Sequence, residues 1–176
     1  MKYYRATEYG PALELAIVLK DGALDEAFFE DGSYDEGRFG SHCHSTTCVM
    51  SSLAQLADLT SDSPLMSRVK AFYDNGLWQI RDELGWVIEN SAAAGNPDRG
   101  EVNNTGDIVE TALILGRWGY ADCYEDAERI LRSRILASQT TEMPDLRPPV
   151  TPDEVDSVRG IGEMAMLDHN LGKYPD

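Results

Sequence analysis

Apolar residues recur at intervals of three and four along most of this chain, the period of amphipathic helices, and the breaks between them carry helix punctuation. Between positions 11 and 29, Leu13, Ala16, Ile17, Leu24, Ala27 and Phe28 hold that spacing behind Pro11, a residue suited to a first helical turn. Asp21-Gly22 interrupts the stretch, which therefore predicts one helix or two. From Glu30 to Gly40 the chain is acidic and broken by Gly32, Gly37 and Gly40, and it is expected to be a loop too polar to pack as an element.

Two helical hairpins follow. Ser45, Thr46 or Thr47 is expected to cap a helix whose stripe of Met50, Leu53, Ala54, Leu56 and Ala57 ends at Thr60-Ser61-Asp62-Ser63. Pro64 opens the return helix, where Leu65, Val69, Phe72, Tyr73 and Leu77 keep the spacing and the pattern runs on to Arg81 or Leu84. In the second hairpin, Ile108, Ala112, Leu113 and Leu115 lead to Trp118, Gly119 and Asp122 mark the turn, and Tyr124, Ala127, Ile130, Leu131 and Ile135 return. The two outlines repeat weakly, with Leu65 of the first matching Tyr124 of the second.

The hairpins are separated by a long polar segment from Asn90 to Thr105, and long loops inside a domain are more often functional than idle. After Gln139 come Pro144, Pro148, Pro149 and Pro152, so residues 140–176 are expected to be irregular, with one short helix from Pro152 to about Leu167. The expectation is an all-α fold in a single domain spanning residues 1–176.

Composition narrows the partners. A formal charge of −16, from 31 acidic and 15 basic residues, argues against nucleic acid and anionic membrane surfaces, both of which need clustered Lys and Arg. Residues 1–9 lack the apolar core of a signal peptide and no apolar stretch is long enough for a span, so the chain reads as soluble and cytoplasmic. Cys43, Cys48 and Cys123 have no framework spacing and suit reduced thiols.

Three segments carry candidate chemistry. In Gly40-Ser41-His42-Cys43-His44-Ser45-Thr46-Thr47-Cys48, two histidines and two cysteines crowd a loop-to-helix junction. They offer metal-ligand types, but their spacing matches no standard pair of zinc knuckles. No metal or cofactor is therefore expected, with zinc as the alternative. His42 and His44 become candidate pocket residues, and the cysteines are read as small buried hydrophobes.

The second segment runs from Arg99 to Thr111. Asn104 or Thr105 is an obvious N-cap there, and Asp107 suits the positive end of a helix dipole. Capping does not explain Glu110, which lies among Ile108, Val109, Ala112 and Leu113 and shares a helix side with Asp107 three residues earlier. Glu101 offers a third carboxylate. Paired carboxylates are what glycosidic bond cleavage needs, and Asn103 and Asn104 suit sugar hydroxyls. In the third segment, Trp78 and Trp86 flank Arg81, Asp82 and Glu83; both tryptophans read either as core aromatics or as platforms for a sugar ring, with Trp86 the candidate contact, and Arg81 reads as half of a surface ion pair. No Walker loop, dinucleotide fingerprint, serine elbow or His-Glu-x-x-His motif occurs.

Taken together, the hairpins and Glu110-Thr111-Ala112-Leu113, followed by Tyr120-Ala121-Asp122 and Glu128-Arg129, resemble part of an (α/α) toroid of the six-hairpin glycosidase type. The nearest likeness is to the β-L-arabinofuranosidase-like group, in which a Glu-Thr-Cys-Ala motif opens the corresponding helix. In that family the motif's Glu and Cys bind zinc beside a cysteine nucleophile, so the resemblance implies a site at Glu110. Ala112 stands where that Cys would be and no Cys-Cys pair follows, which shifts the implied chemistry from zinc to carboxylates.

The expected function is thus a glycoside hydrolase with Glu101, Asp107 and Glu110 as catalytic candidates and His42, His44, Asn103, Asn104 and Trp86 as saccharide contacts. The alternative is a non-catalytic helical-repeat scaffold. Two hairpins make an incomplete ring, and the apolar flank so exposed predicts a homo-oligomer or a fragment of a longer chain.

Overall fold

The computed structural model describes residues 1–92 and 100–139. The expected helix from Pro152 to Leu167 and the irregular segment 140–176 lie outside the described residues, as does part of the long polar loop. The fold is all-α: among the described residues there is no strand, only four isolated antiparallel bridges. No helix of the described residues is long and apolar enough to cross a membrane.

The elements are α1 (Lys2–Thr7), α2 (Gly10–Glu26), α3 (Glu36–Phe39), α4 (Cys43–Thr60), α5 (Ser63–Asp74), a 3-10 turn (Gly76–Gln79), α6 (Val102–Arg117), α7 (Asp122–Ile130), a π turn (Leu131–Ile135) and α8 (Leu136–Ser138). The expected hairpins are α4–α5 and α6–α7, and they pack mainly through α4 against α6. Met50, Ala54 and Ala57 of α4 meet Ile108, Ala112 and Leu115 of α6 in one core, which Leu65, Met66, Val69, Phe72 and Ile130 close from the outer helices. Small alanines at the α4–α6 seam let the two helices approach closely.

Several boundaries differ from the pattern-based expectation. α2 runs through Asp21-Gly22 as one helix, and none of its residues is buried. The acidic loop does pack: Phe28 bridges Tyr34 across a turn at Gly32, and Tyr34 meets Phe72 edge-on at 5.5 Å. Asp35 then caps the short α3 through the Gly37 amide at 2.8 Å.

α5 stops at Asp74 rather than reaching Arg81 or Leu84. The Asn75 side-chain Nδ2 donates to the Asp31 carbonyl at 2.8 Å and the Gly76 backbone amide to that of Gly32 at 3.0 Å, so the acidic loop captures the chain and turns it. A side chain at Gly76 would collide with the Gly32 carbonyl oxygen at 2.5 Å. Tertiary contacts here override a periodic pattern that local propensity would have continued.

Arg81 is not a surface residue. Its guanidinium is buried and bonds Asp126 of α7 at 2.9 Å, and the same carboxylate oxygen accepts from the Tyr73 hydroxyl. After Arg81 the chain doubles back, and its bridges His42–Asn90 and Ile88–Gly100 fasten the start of α4 and the approach to α6 to this returning strand-like segment. Both helix starts are thereby held at one end of the α4–α6 pair.

Candidate functional site

A polar stripe on α4 faces the start of α6. His44, Thr47, Cys48, Ser51 and Gln55 recur at three and four, and each opposes a carboxylate or amide of α6 or lies beside one that does. Thr47, Ser51 and Gln55 are buried, so their hydroxyl and amide groups need partners, and the α6 side chains supply them.

The Thr47 hydroxyl bridges Asn104 Oδ1 at 2.8 Å and Asp107 Oδ2 at 3.1 Å. His44 Nε2 lies 3.4 Å from the same Asp107 oxygen. One helical turn on, Glu110 Oε2 accepts from Ser51 Oγ at 2.8 Å and Gln55 Nε2 at 3.2 Å, with Lys2 Nζ at 3.3 Å. At the mouth, His42 Nε2 and Glu101 Oε2 are 3.1 Å apart, and the rings of His42 and His44 meet edge to face at 6.1 Å.

Two groups here are shifted. Burial pushes the Asp107 carboxyl above the ordinary range; the Thr47 hydrogen bond and His44 oppose this, and the charge of Glu110 adds to it. Partial desolvation likewise raises the Cys48 thiol, although the residue is exposed, with Asp107 and Glu110 adding to the rise.

An open groove of about 580 Å³ runs along this face of α6, lined by Asn103, Asp107, Glu110, Leu113 and Arg117 of α6 and by Lys2 and Arg5 of α1. Two of the three candidate carboxylates therefore share one groove, and the third, Glu101, sits at the helix start paired with His42.

Four expectations need correction. Neither Asn104 nor Thr105 caps α6, whose cap position is held three to four residues earlier by Glu101. Asn104 is completely buried and serves Thr47, so it is not a saccharide contact; Thr105 instead donates to the Gly85 carbonyl at 2.7 Å. Trp86 does not line the groove: it packs against Gly100, with the Arg134 guanidinium 6.0 Å from its ring centroid. Of the cysteines, Cys43 and Cys123 are buried as expected, whereas Cys48 is exposed.

Sequence reasoning missed Thr47, Ser51, Gln55 and Lys2. For the first three a signal was present: hydroxyl and amide residues at helical spacing on one side of an otherwise apolar helix. Lys2 carried none.

No protein-family model matches the chain, and no curated protein and no solved structure matches it either. The function must be argued from the site itself.

Proposed function

We propose that the protein is a carbohydrate-active enzyme that cleaves a glycosidic bond with carboxylates of the α6 groove, on an (α/α) toroid-like arrangement of hairpins. The observation that carries this reading is that Asp107 and Glu110 project from one side of α6 into the same open groove, each held by side chains of α4. Two fixed carboxyl groups on one concave surface are the minimum apparatus for this reaction. One gives a proton to the leaving oxygen, and the other attacks the anomeric carbon or activates water.

Asp107 is the less exposed of the two side chains, 18% against 33%, and suits the proton-carrying role. Glu110, fastened by Ser51 and Gln55, suits the role of nucleophile or base. Asn103 lines the groove and is placed for sugar hydroxyls, and Lys2, Arg5 and Arg117 make uronic acids part of the substrate range to be screened.

The test is hydrolysis of a panel of neutral and uronic aryl glycosides and oligosaccharides by the purified chain. Glu110→Gln and Asp107→Asn should each lower kcat by about 10²- to 10⁴-fold with folding retained by circular dichroism. Turnover that survives both substitutions, or no turnover and no saccharide binding across the panel, would remove the hydrolase reading.

A second reading, a helical scaffold that binds a second copy of this chain, is favoured by α2. Leu15, Val18 and Leu19 are 58%, 66% and 64% exposed on a helix with no buried residue. Beside it lies an apolar groove of about 390 Å³ between α2 and α4, lined by Leu19, Ala23, Val49 and Leu53.

A further inference from the structure

His44, Cys48 and Asp107 place one ligand atom each within 4.8 Å of one another, two from successive turns of α4 and one from α6. His44 and Cys48 are four residues apart and share a helix face by geometry. His44 Nε2 and Asp107 Oδ2 are 3.4 Å apart. Ligand atoms at tetrahedral angles around zinc, with bonds of about 2.0–2.3 Å, lie about 3.3–3.7 Å from each other. The nitrogen and oxygen are thus already spaced as two corners of such a site, and only the sulfur has to close by about an ångström. Cys48 is exposed and free to turn about its single side-chain torsion, so that adjustment requires no movement of the core.

We propose that His44, Cys48 and Asp107 form a binding site for a divalent transition ion of the zinc class, with the fourth position open to solvent. A thiolate, an imidazole and a carboxylate together select zinc or cobalt over magnesium or calcium, which prefer oxygen alone. Three protein ligands with an open position is the arrangement of reactive rather than purely structural sites. Thr47 supplies the outer support, since its hydroxyl bonds the Asp107 oxygen that would face the ion. The site shares Asp107 with the groove, so an ion held there withdraws Asp107 from proton transfer, and metal occupancy and hydrolysis by the carboxylate pair compete. The inference stands on ligand geometry and does not depend on the hydrolase reading.

Cobalt reports on this directly. The full chain, stripped by chelator, is titrated with Co²⁺ and then with Zn²⁺ while the near-ultraviolet thiolate-to-cobalt band is followed. One equivalent should saturate the band, Zn²⁺ should abolish it and excess Mg²⁺ should leave it unchanged. Cys48→Ser should remove the band, and His44→Gln should weaken uptake about tenfold or more. Circular dichroism of Cys48→Ser, a substitution at an exposed position, shows that the fold is kept. Absence of saturable uptake overturns the site, as does a band of undiminished strength in Cys48→Ser, which would assign the thiolate to Cys43 or Cys123. Because binding is read without turnover, failure here leaves the hydrolase reading intact, and the reverse also holds.

Discussion

Arg81 shows how a residue's neighbours in sequence can mislead. Asp82 and Glu83 follow it directly, yet its partner is Asp126, forty-five residues away, in a buried cluster with Tyr73. Sequence proximity offers candidate partners but no measure of burial, and burial decides the energetics. A surface pair is worth at most about 1 kcal/mol, whereas removing one member of a buried pair leaves an uncompensated charge and costs about 3–5 kcal/mol. Asp126→Ala, which strands the buried Arg81, should destabilise the protein by that larger amount in urea unfolding at neutral pH, and Arg81→Ala should cost less because Arg129 still pairs with Asp126. A loss below about 1 kcal/mol would show that the pair is solvated in solution. The site residues divide along the same line. Asp107, Glu110 and His44 were legible because their chemistry is rare at such positions, while Thr47, Ser51 and Gln55 were overlooked because hydroxyl and amide residues are common on helices. Asn104 was misassigned because a good capping residue in sequence had a better partner in Thr47.

At the scale of elements, periodicity located the helices, and tertiary hydrogen bonds set their ends. Asp62 caps α5, its carboxylate accepting from the Leu65 amide three residues on, a purely local arrangement. The stop at Asp74 was not legible because it depends on Asp31 and Gly32, which reach it only after folding. Asp58 near the end of α4 is another such long-range tie. Its carboxylate receives Arg5 of α1 at 3.0 Å, Arg117 of α6, and the Trp118 indole at 3.1 Å. Burial alone would raise its carboxyl, but the hydrogen bonds from Trp118 and Arg117 and the charges of Arg117 and Arg5 outweigh it and leave the group below its ordinary value. A carboxyl lowered by folding contributes stability above the unfolded-state value of about 3.9, and that contribution is lost as pH falls through the folded value. Wild type should therefore be more stable than Asp58→Asn at pH 7, by up to about 1 kcal/mol for so exposed a cluster, and the difference should shrink and vanish as pH falls below the unfolded-state value and through the folded one. Urea titrations of both proteins across that range measure it, and a gap that is constant with pH would assign the effect to packing instead.

For the whole molecule, the all-α class and the pair of hairpins were legible because they follow from the period of apolar residues and from Pro, Gly and Asp at turns. Which helices face each other was not, since the α4–α6 pairing rests on the fit of Ala54, Ala57 and Ala112, and nothing in the local pattern ranks one seam above another. The least expected outcome lies at α2. The sequence places an amphipathic stripe there, yet Leu13, Ala23 and Leu24 reach the core only partly while Leu15, Val18 and Leu19 point outward. A seventeen-residue helix with apolar side chains on both sides suits a partner on both sides. A second copy of the chain would supply such a partner through a two-fold contact, in which the same stripe meets itself. The chain should accordingly sediment as a dimer at micromolar concentration. Val18→Glu places a like charge on both copies at the centre of that contact, so it should shift the species to monomer without altering the helical content. A wild-type chain that is monomeric and well folded under those conditions would leave α2 free, and the exposed stripe would then have to be explained by a different partner.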